Sequence, residues 1–192
     1  MANPTDFEHF LDRLSARRTD REKGKNFVVA QPEYVPAMVG FALDSSQARR
    51  QAISAWIMEL YFLERLESLT PSLPQLLTTL PAVQNESVRR PMSKLLYYFY
   101  KKHPNRFDPP QKEQLIALAF DWLLAPAKVA TQNFAIKTLY LLRQEAPWIL
   151  PELQALIKNN GLPHPPDLKP LAEKYCRNFF QLKCVPYLYL KS

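Results

Sequence analysis

The sequence is poor in glycine. Its 192 residues contain only three glycines but 18 prolines. Tight hairpins and phosphate-binding loops depend on glycine because they need backbone conformations with positive φ. The shortage therefore argues against a β-rich protein, a Rossmann fold or a P-loop. Proline is well placed at the start of a helix, where its missing N–H has no intrahelical duty. The composition predicts helices separated by proline-containing turns.

Cysteine and long hydrophobic runs are also scarce. Cys176 and Cys184 have no second pair with which to form a four-ligand metal site, so we expect free thiols and neither a metal nor a cofactor. No stretch reaches the roughly 18 apolar residues that a membrane-spanning helix needs. Residues 1–18 alternate charged and apolar side chains, where a secretory signal would need an unbroken apolar core. We expect a cytoplasmic protein with no membrane partner.

Negative charge is the minority sign. The formal net charge is +7, which favours an acidic partner such as a nucleic acid, an acidic protein or a phosphorylated ligand. The 47% apolar content is ordinary for a globular chain, and the length fits one domain with its own buried core.

The prolines are spaced periodically. Pro36, Pro74, Pro110 and Pro151 each stand just before, or in the first turn of, a segment with helical apolar spacing, and they are 38, 36 and 41 residues apart. A period of this length indicates an array of helical repeats.

A second set of markers has the same period. A longer helical segment follows each of the first three proline-marked segments, and its first apolar residue is Ala48, Val88 or Val129, with separations of 40 and 41. We therefore predict an all-α fold, a right-handed α-α superhelix in a single domain. Its expected parts are N-terminal cap helices over residues 1–30, about three and a half helix pairs over 31–157, and a proline-rich loop, last helix and tail over 158–192.

These features resemble HEAT and armadillo repeats. The resemblance rests on a proline in each first helix, an acidic or amide residue near the turn (Asp44, Asn85), and an apolar-basic start to the second helix (Ala48-Arg49, Val88-Arg89). It extends from about Asn26 to Ile157. More narrowly, the run FDWLLAPAKVATQNFAIKTLYLLRQEAPWILPEL resembles a family of small bacterial helical-repeat proteins of about this length. Members of that family often carry the name adenylosuccinate lyase, so the resemblance implies an enzyme.

Basic residues of the longer helices are candidates for binding an anion or a partner. If these helices line a concave face, their cations form a basic ladder able to hold phosphates or carboxylates. Alternatively, each arginine ties adjacent turns together by pairing with Asp44, Asn85 or Glu86. The candidates are Arg49, Arg50, Arg89, Arg90 and Lys94, extended by Asn133 and Lys137 on one face of the third long helix.

An aromatic run in the second long helix is the candidate interface. Four consecutive rings, residues 97–100, cover all sides of a helix, so at least one must face solvent, a groove or a partner. The candidate interface aromatics are Tyr97, Tyr98 and Tyr100. By contrast, Trp56 and Trp148 fall on apolar helical faces, and we expect both in the core.

Three functions follow, in order of preference. The first is a non-enzymatic scaffold that binds a protein or peptide along its groove. The second is a nucleic-acid-binding protein that uses the basic ladder. The third is an enzyme, either the lyase or a HEAT-like DNA glycosylase with Asp121 as its acid. The lyase superfamily uses a longer chain and a catalytic loop rich in serine, glycine, methionine, lysine and asparagine, a loop that this sequence lacks. Residues 187–190 are expected to dock on the last helix pair or to mark a dimer contact, which leaves the oligomeric state open.

Overall fold

A computed structural model describes residues 3–125 and 128–158 of the chain, with side chains described as far as residue 156. This part is all-α and contains nine α-helices and no strand. The α-helices are α1 (Pro4–Asp12), α2 (Arg18–Ala30), α3 (Val35–Leu43), α4 (Ala48–Glu64), α5 (Leu73–Thr79), α6 (Glu86–Lys102), α7 (Pro109–Leu124), α8 (Val129–Leu142) and α9 (Ile149–Lys158). Short 3-10 turns occupy Pro32–Tyr34, Leu66–Ser72, Leu80–Ala82 and Pro104–Arg106. The predicted proline-rich loop, last helix and tail, with both cysteines, lie outside the described residues.

Proline marks the helix starts as the sequence predicts. Pro36, Pro74 and Pro110 are the second residues of α3, α5 and α7, and Pro151 is the third residue of α9. Each lies among the first four N–H positions, which have no intrahelical acceptor, so the missing donor costs little there. Asp108 completes the start of α7, because its side chain accepts from the N–H of Gln111 while the Gln111 side chain accepts from the N–H of Asp108.

The long helices pack in series. Helix α4 contacts α2 and α6, and α6 in turn contacts α8. On another side, α3 packs on α4, α7 packs on α8 and α5 contacts α7. Helix α1 contacts both α3 and α4, and α9 contacts α8. One continuous apolar core therefore runs through the described part of the chain, and each fully buried Leu, Ile, Met or Phe in it contributes about 1.5–3 kcal/mol.

Helices α2 and α4 approach each other closely at Gly24. A Cβ atom on this buried residue would lie 2.3 Å from Cδ1 and 2.6 Å from Cγ1 of Ile57. A side chain of any size would therefore collide with the fully buried Ile57. The absence of a side chain at this position allows α2 to pack against α4.

The prediction that Trp148 lies in the core is wrong. Trp148 precedes the first residue of α9 and is 56% exposed, with its ring stacked on Phe120 at a centroid distance of 5.6 Å. Apolar spacing predicts a face only where the chain is helical, and this residue stands in the turn between α8 and α9. No helix within residues 3–125 and 128–158 combines the length and apolar content needed to cross a membrane.

Candidate functional site

Arg49 and Arg50 hold α1 against the start of α4. Arg49 Nη2 donates to the carbonyl oxygens of Leu14, at 2.5 Å, and Asp12, at 3.2 Å. Arg50 binds the Asp12 carboxylate at 3.1 Å and the Glu8 carboxylate at 2.6 Å. Both arginines therefore make intramolecular contacts. Their hydrogen-bond and ion-pair partners lie in and just after α1. Asp44, which the alternative prediction named as a partner, is influenced by Arg50 only through its charge.

Arg89 also makes contacts within the chain. It is 8% exposed, and its Nε donates to the Val83 carbonyl at 2.7 Å while Nη2 donates to Gln84 Oε1 at 2.6 Å. Its guanidinium also lies 3.9 Å from the Glu86 carboxylate. A buried arginine needs such partners because an unpaired charge would be costly to desolvate. Arg89 therefore anchors the loop that enters α6.

Polar side chains tie together the starts of α4, α6 and α8. Asn85 donates to Gln51 Oε1 of α4 at 3.0 Å. Glu86 Oε2 accepts from the Lys128 N–H at 3.3 Å and from the Thr131 hydroxyl at 3.0 Å, at the start of α8. We call these five residues the polar seam. The sequence indicates Asn85 as a turn residue, but the hydrogen-bond donors to Glu86 lie more than 40 residues away and leave no local signal.

Gln132 performs a similar task at the end of α7. It is fully buried, and its Nε2 donates to the carbonyls of Leu123 at 3.1 Å and Ala125 at 3.4 Å. Carbonyls at the end of a helix have no intrahelical donor, so this side chain supplies one. Sequence reasoning did not find this role.

One face of α6 remains turned outward. Its residues are spaced three and four apart, which places them on one side of a helix. Among the described side chains, Arg90 is exposed and has no ion-pair partner, whereas Lys94 Nζ binds Glu59 Oε1 at 2.8 Å. The face consists of Arg90, Lys94, Tyr97, Tyr98 and Lys101.

Aromatic rings from α6 and α8 meet beside this face. The ring centroid of Tyr97 lies 5.0 Å from that of Tyr98 and 5.7 Å from that of Phe134, and the Tyr98 and Phe134 centroids are 6.2 Å apart. We call these three rings the aromatic cluster. Lys137 Nζ stands 4.9 Å from the Phe134 ring centroid, and Lys101 Nζ stands 5.9 Å from that of Tyr97. Burial, followed by the proximity of Tyr98, raises the pKa of Tyr97, so its hydroxyl stays neutral. Tyr98 is 38% exposed.

A cleft of about 150 Å³ opens where α2, α4 and α6 meet the start of α8. Within it the Arg21 guanidinium carbon lies 4.1 Å from the Trp56 ring centroid, so this indole is covered by a cation. Pro91 stands on the wall and has no N–H to donate to the Ser87 carbonyl one turn earlier. We call this the polar cleft, lined by Arg21, Trp56, Glu59, Glu86, Ser87, Arg90, Pro91 and Lys128.

Positive charge dominates the combined surface. We call the polar cleft, the aromatic cluster and the lysines Lys94, Lys101 and Lys137 together the cationic surface. Both of its carboxylates are already engaged, Glu59 by Lys94 and Glu86 by the polar seam. It carries six cations (Arg21, Arg90, Lys94, Lys101, Lys128, Lys137) against two carboxylates (Glu59, Glu86).

Tyr100, predicted as an interface aromatic, lies away from this surface. It is 4% exposed, and its hydroxyl donates to Glu145 Oε1 at 3.3 Å. Burial and the neighbouring carboxylate raise the pKa of Tyr100 to about 12. Its position in the core argues against contact with a partner. Asn133 is half-buried one turn before Lys137, and among the described residues its Oδ1 has no hydrogen-bond donor.

A second concave surface was not predicted. It is an open apolar groove of about 580 Å³ between α7 and the turn that leads into α9, with the stacked rings of Phe120 and Trp148 in its wall. Lys112 and Glu145, 2.9 Å apart, form its polar border. The turn residues that contribute to it carry no periodic pattern, so no feature of the sequence indicates this groove.

Comparison with known proteins identifies no relative. No family model matches the chain, and neither a curated protein nor a solved structure matches it. In the part of the chain that the structure describes, no three His, Cys, Asp or Glu side chains are grouped to hold a metal ion. Asp121, the acid of the glycosylase hypothesis, is exposed on α7. The cationic surface is therefore the strongest candidate for a functional site.

Proposed function

We propose that this chain is a non-enzymatic interaction module of the cytoplasm that binds a protein or peptide partner through the cationic surface. We further propose that its helices form a right-handed α-α superhelix of HEAT-like pairs. Two observations support this architecture: the serial contacts of α2, α4, α6 and α8, and the periodic prolines at the starts of α3, α5, α7 and α9. The chain would then serve as a scaffold with one extended binding face.

The observation that carries the proposal is the exposed ring of Tyr98 among cations. Tyrosine and arginine are enriched where protein interfaces bind most strongly, because they combine apolar area with a polar group. Tyr98 offers such a ring on the same face of α6 as Lys101 and Arg90. Three of the four paired arginines, Arg49, Arg50 and Arg89, make internal contacts. The cationic surface around Arg90 is therefore the best remaining candidate.

Site-specific crosslinking in cells tests the proposal. A photo-reactive phenylalanine analogue at position 98 should give a discrete adduct with one partner, and Arg90→Glu should abolish that adduct. The matched control places the same analogue at position 114, which is exposed on α7. Identical adducts at the two positions, or none at position 98, would count against a partner-binding role for this face.

Nucleic-acid binding is the second candidate, and the same surface supports it. Single-stranded nucleic acids bind to grooves that combine cations with stacking aromatic rings, and their affinity falls steeply with salt. Titration of a uridine oligonucleotide at two salt concentrations checks this candidate. Arg90→Glu with Lys101→Glu should flatten the salt dependence, since Arg49 and Arg89 are engaged internally. Binding that is absent, or insensitive to salt, removes the candidate.

A further inference from the structure

We propose that the partner segment is an acidic, extended peptide, an inference that rests on the proposed function and specifies its ligand. One carboxylate side chain of the peptide occupies the polar cleft beside Arg90 and Lys128. An aromatic or large aliphatic side chain of the same peptide packs on the aromatic cluster. The two anchoring side chains are about four residues apart.

Charge complementarity selects an acidic segment. Arg90 is exposed and has no ion-pair partner among the described side chains, and it lines the polar cleft together with Lys128. The carboxylates of the cleft are occupied, since Glu59 binds Lys94 and Glu86 binds the start of α8. An incoming carboxylate would pair with the planar guanidinium through two parallel hydrogen bonds.

The size of the cleft suits a side chain. A volume of about 150 Å³ has room for a carboxylate side chain, since one water molecule needs only about 10–15 Å³ of such volume. The peptide backbone then stays outside the cleft and can continue along the surface of α6 toward the aromatic cluster.

The spacing of the anchors follows from α6. Arg90 and Tyr98 are eight residues apart on one face of this helix, which corresponds to about 12 Å at 1.5 Å per residue. An extended peptide advances about 3.3 Å per residue, so it covers this distance in about four residues. Lys94 stands between the two anchors and meets the middle of the segment.

A peptide fits the cleft better than a nucleic acid. A nucleic acid carries a phosphate at every nucleotide, so more than one phosphate would lie along the roughly 12 Å between the two anchors. Those near the cleft would approach the carboxylates of Glu59 and Glu86. A peptide with one acidic anchor brings a single negative charge to the cleft, where Arg90 and Lys128 offset the two carboxylates, and it therefore meets less repulsion.

Selection from a random library tests the inference. A displayed library of random twelve-residue peptides is selected on the immobilised full-length chain, and enriched peptides are measured in solution by fluorescence anisotropy. We expect an Asp or Glu three to five positions from an aromatic or leucine residue. Arg90→Glu should weaken binding about tenfold or more and, in a fresh selection, should replace the acidic residue by Lys or Arg. Tyr98→Ala should relax only the aromatic position.

The control is Arg106→Glu, which makes the same charge change at an exposed residue outside the cationic surface and should leave affinity unchanged. Circular dichroism verifies that all variants stay folded. Enriched peptides that lack the acidic-aromatic pattern, or that bind Arg90→Glu equally well, overturn the inference while the partner-binding function stands. If no peptide is enriched, the result contradicts both the acidic-peptide inference and the partner-binding function. A uridine oligonucleotide that binds with steep salt dependence then identifies nucleic acid as the ligand.

Discussion

Tyr100 joins α6 to the turn that follows α8. Its buried hydroxyl donates to Glu145, which follows α8, while Glu145 also binds Lys112 of α7 at 2.9 Å. A carboxylate beside a buried phenol disfavours the phenolate, so the neutral ring is part of the folded structure. The stability of the region consequently depends on pH in the alkaline range.

The first prediction concerns that dependence. The folded-state pKa of Tyr100 is about 12, whereas an unfolded tyrosine has a pKa of about 10. Stability from this group is therefore fully present below pH ~10 and is lost as pH rises toward 12. Urea unfolding at pH 9 and pH 11 should show that Tyr100→Phe loses about 1 kcal/mol less between the two pH values than the native protein does. Equal losses in the two proteins would contradict the assignment.

Neighbouring residues can have unrelated roles, as Arg89 and Arg90 do. A helix turns by about 100° per residue, so Arg89 enters the core and binds the Val83 carbonyl while Arg90 remains exposed beside the polar cleft. The sequence marks both as candidate binding residues at one position of the repeat. It was unable to separate them, because the partner that distinguishes them is a backbone carbonyl of the preceding loop.

At the scale of elements, substitution of glycine by alanine should have opposite effects on stability at two helical positions. Alanine is favoured over glycine inside a helix by about 1 kcal/mol. At Gly40 of α3 nothing lies within 4 Å of an added Cβ, so Gly40→Ala should raise the free energy of unfolding by up to about 1 kcal/mol. At Gly24 the added Cβ would collide with Ile57, so Gly24→Ala should lower it by about 1–3 kcal/mol despite the better helix propensity.

Chemical denaturation of the two variants beside the native protein measures both changes. The pair is informative because propensity alone gives both substitutions the same sign. Stabilisation by Gly24→Ala would mean that α2 does not approach α4 as closely as described.

Helix bounds were predictable to a useful degree for a physical reason. Helix α6 covers Glu86–Lys102, the segment that apolar spacing marked, because its polar start, apolar middle and basic end all act locally. The prediction that Trp148 is buried is wrong because packing, rather than apolar periodicity, determines the turn before α9. The polar cleft also escapes local reasoning, since four separate elements contribute to its wall.

For the whole molecule, serial packing predicts that a core substitution destabilises mainly the helices around it. Helices that contact chiefly their neighbours lose stability first where the core is disturbed. Leu139→Ala in α8 should speed hydrogen exchange of α7–α9 amides more than of α1–α3 amides, and Leu11→Ala in α1 should do the reverse. Both leucines are fully buried, and each substitution costs about 2–5 kcal/mol. Hydrogen exchange measured by mass spectrometry reads both variants, and equal acceleration everywhere would show a single cooperative unit.

The three tryptophans lie in three different environments and can report on them by fluorescence. Trp56 lies under the Arg21 guanidinium in the polar cleft, Trp122 is buried on α7, and Trp148 is largely in water. Their emission should therefore differ in wavelength, and a dissolved quencher should reach Trp148 first. An acidic segment that draws Arg21 away from the Trp56 indole would change the fluorescence emission of Trp56. The emission of the buried Trp122 would stay constant and serve as an internal reference. The cation above Trp56 thus gives the protein a label-free signal for occupancy of the cleft.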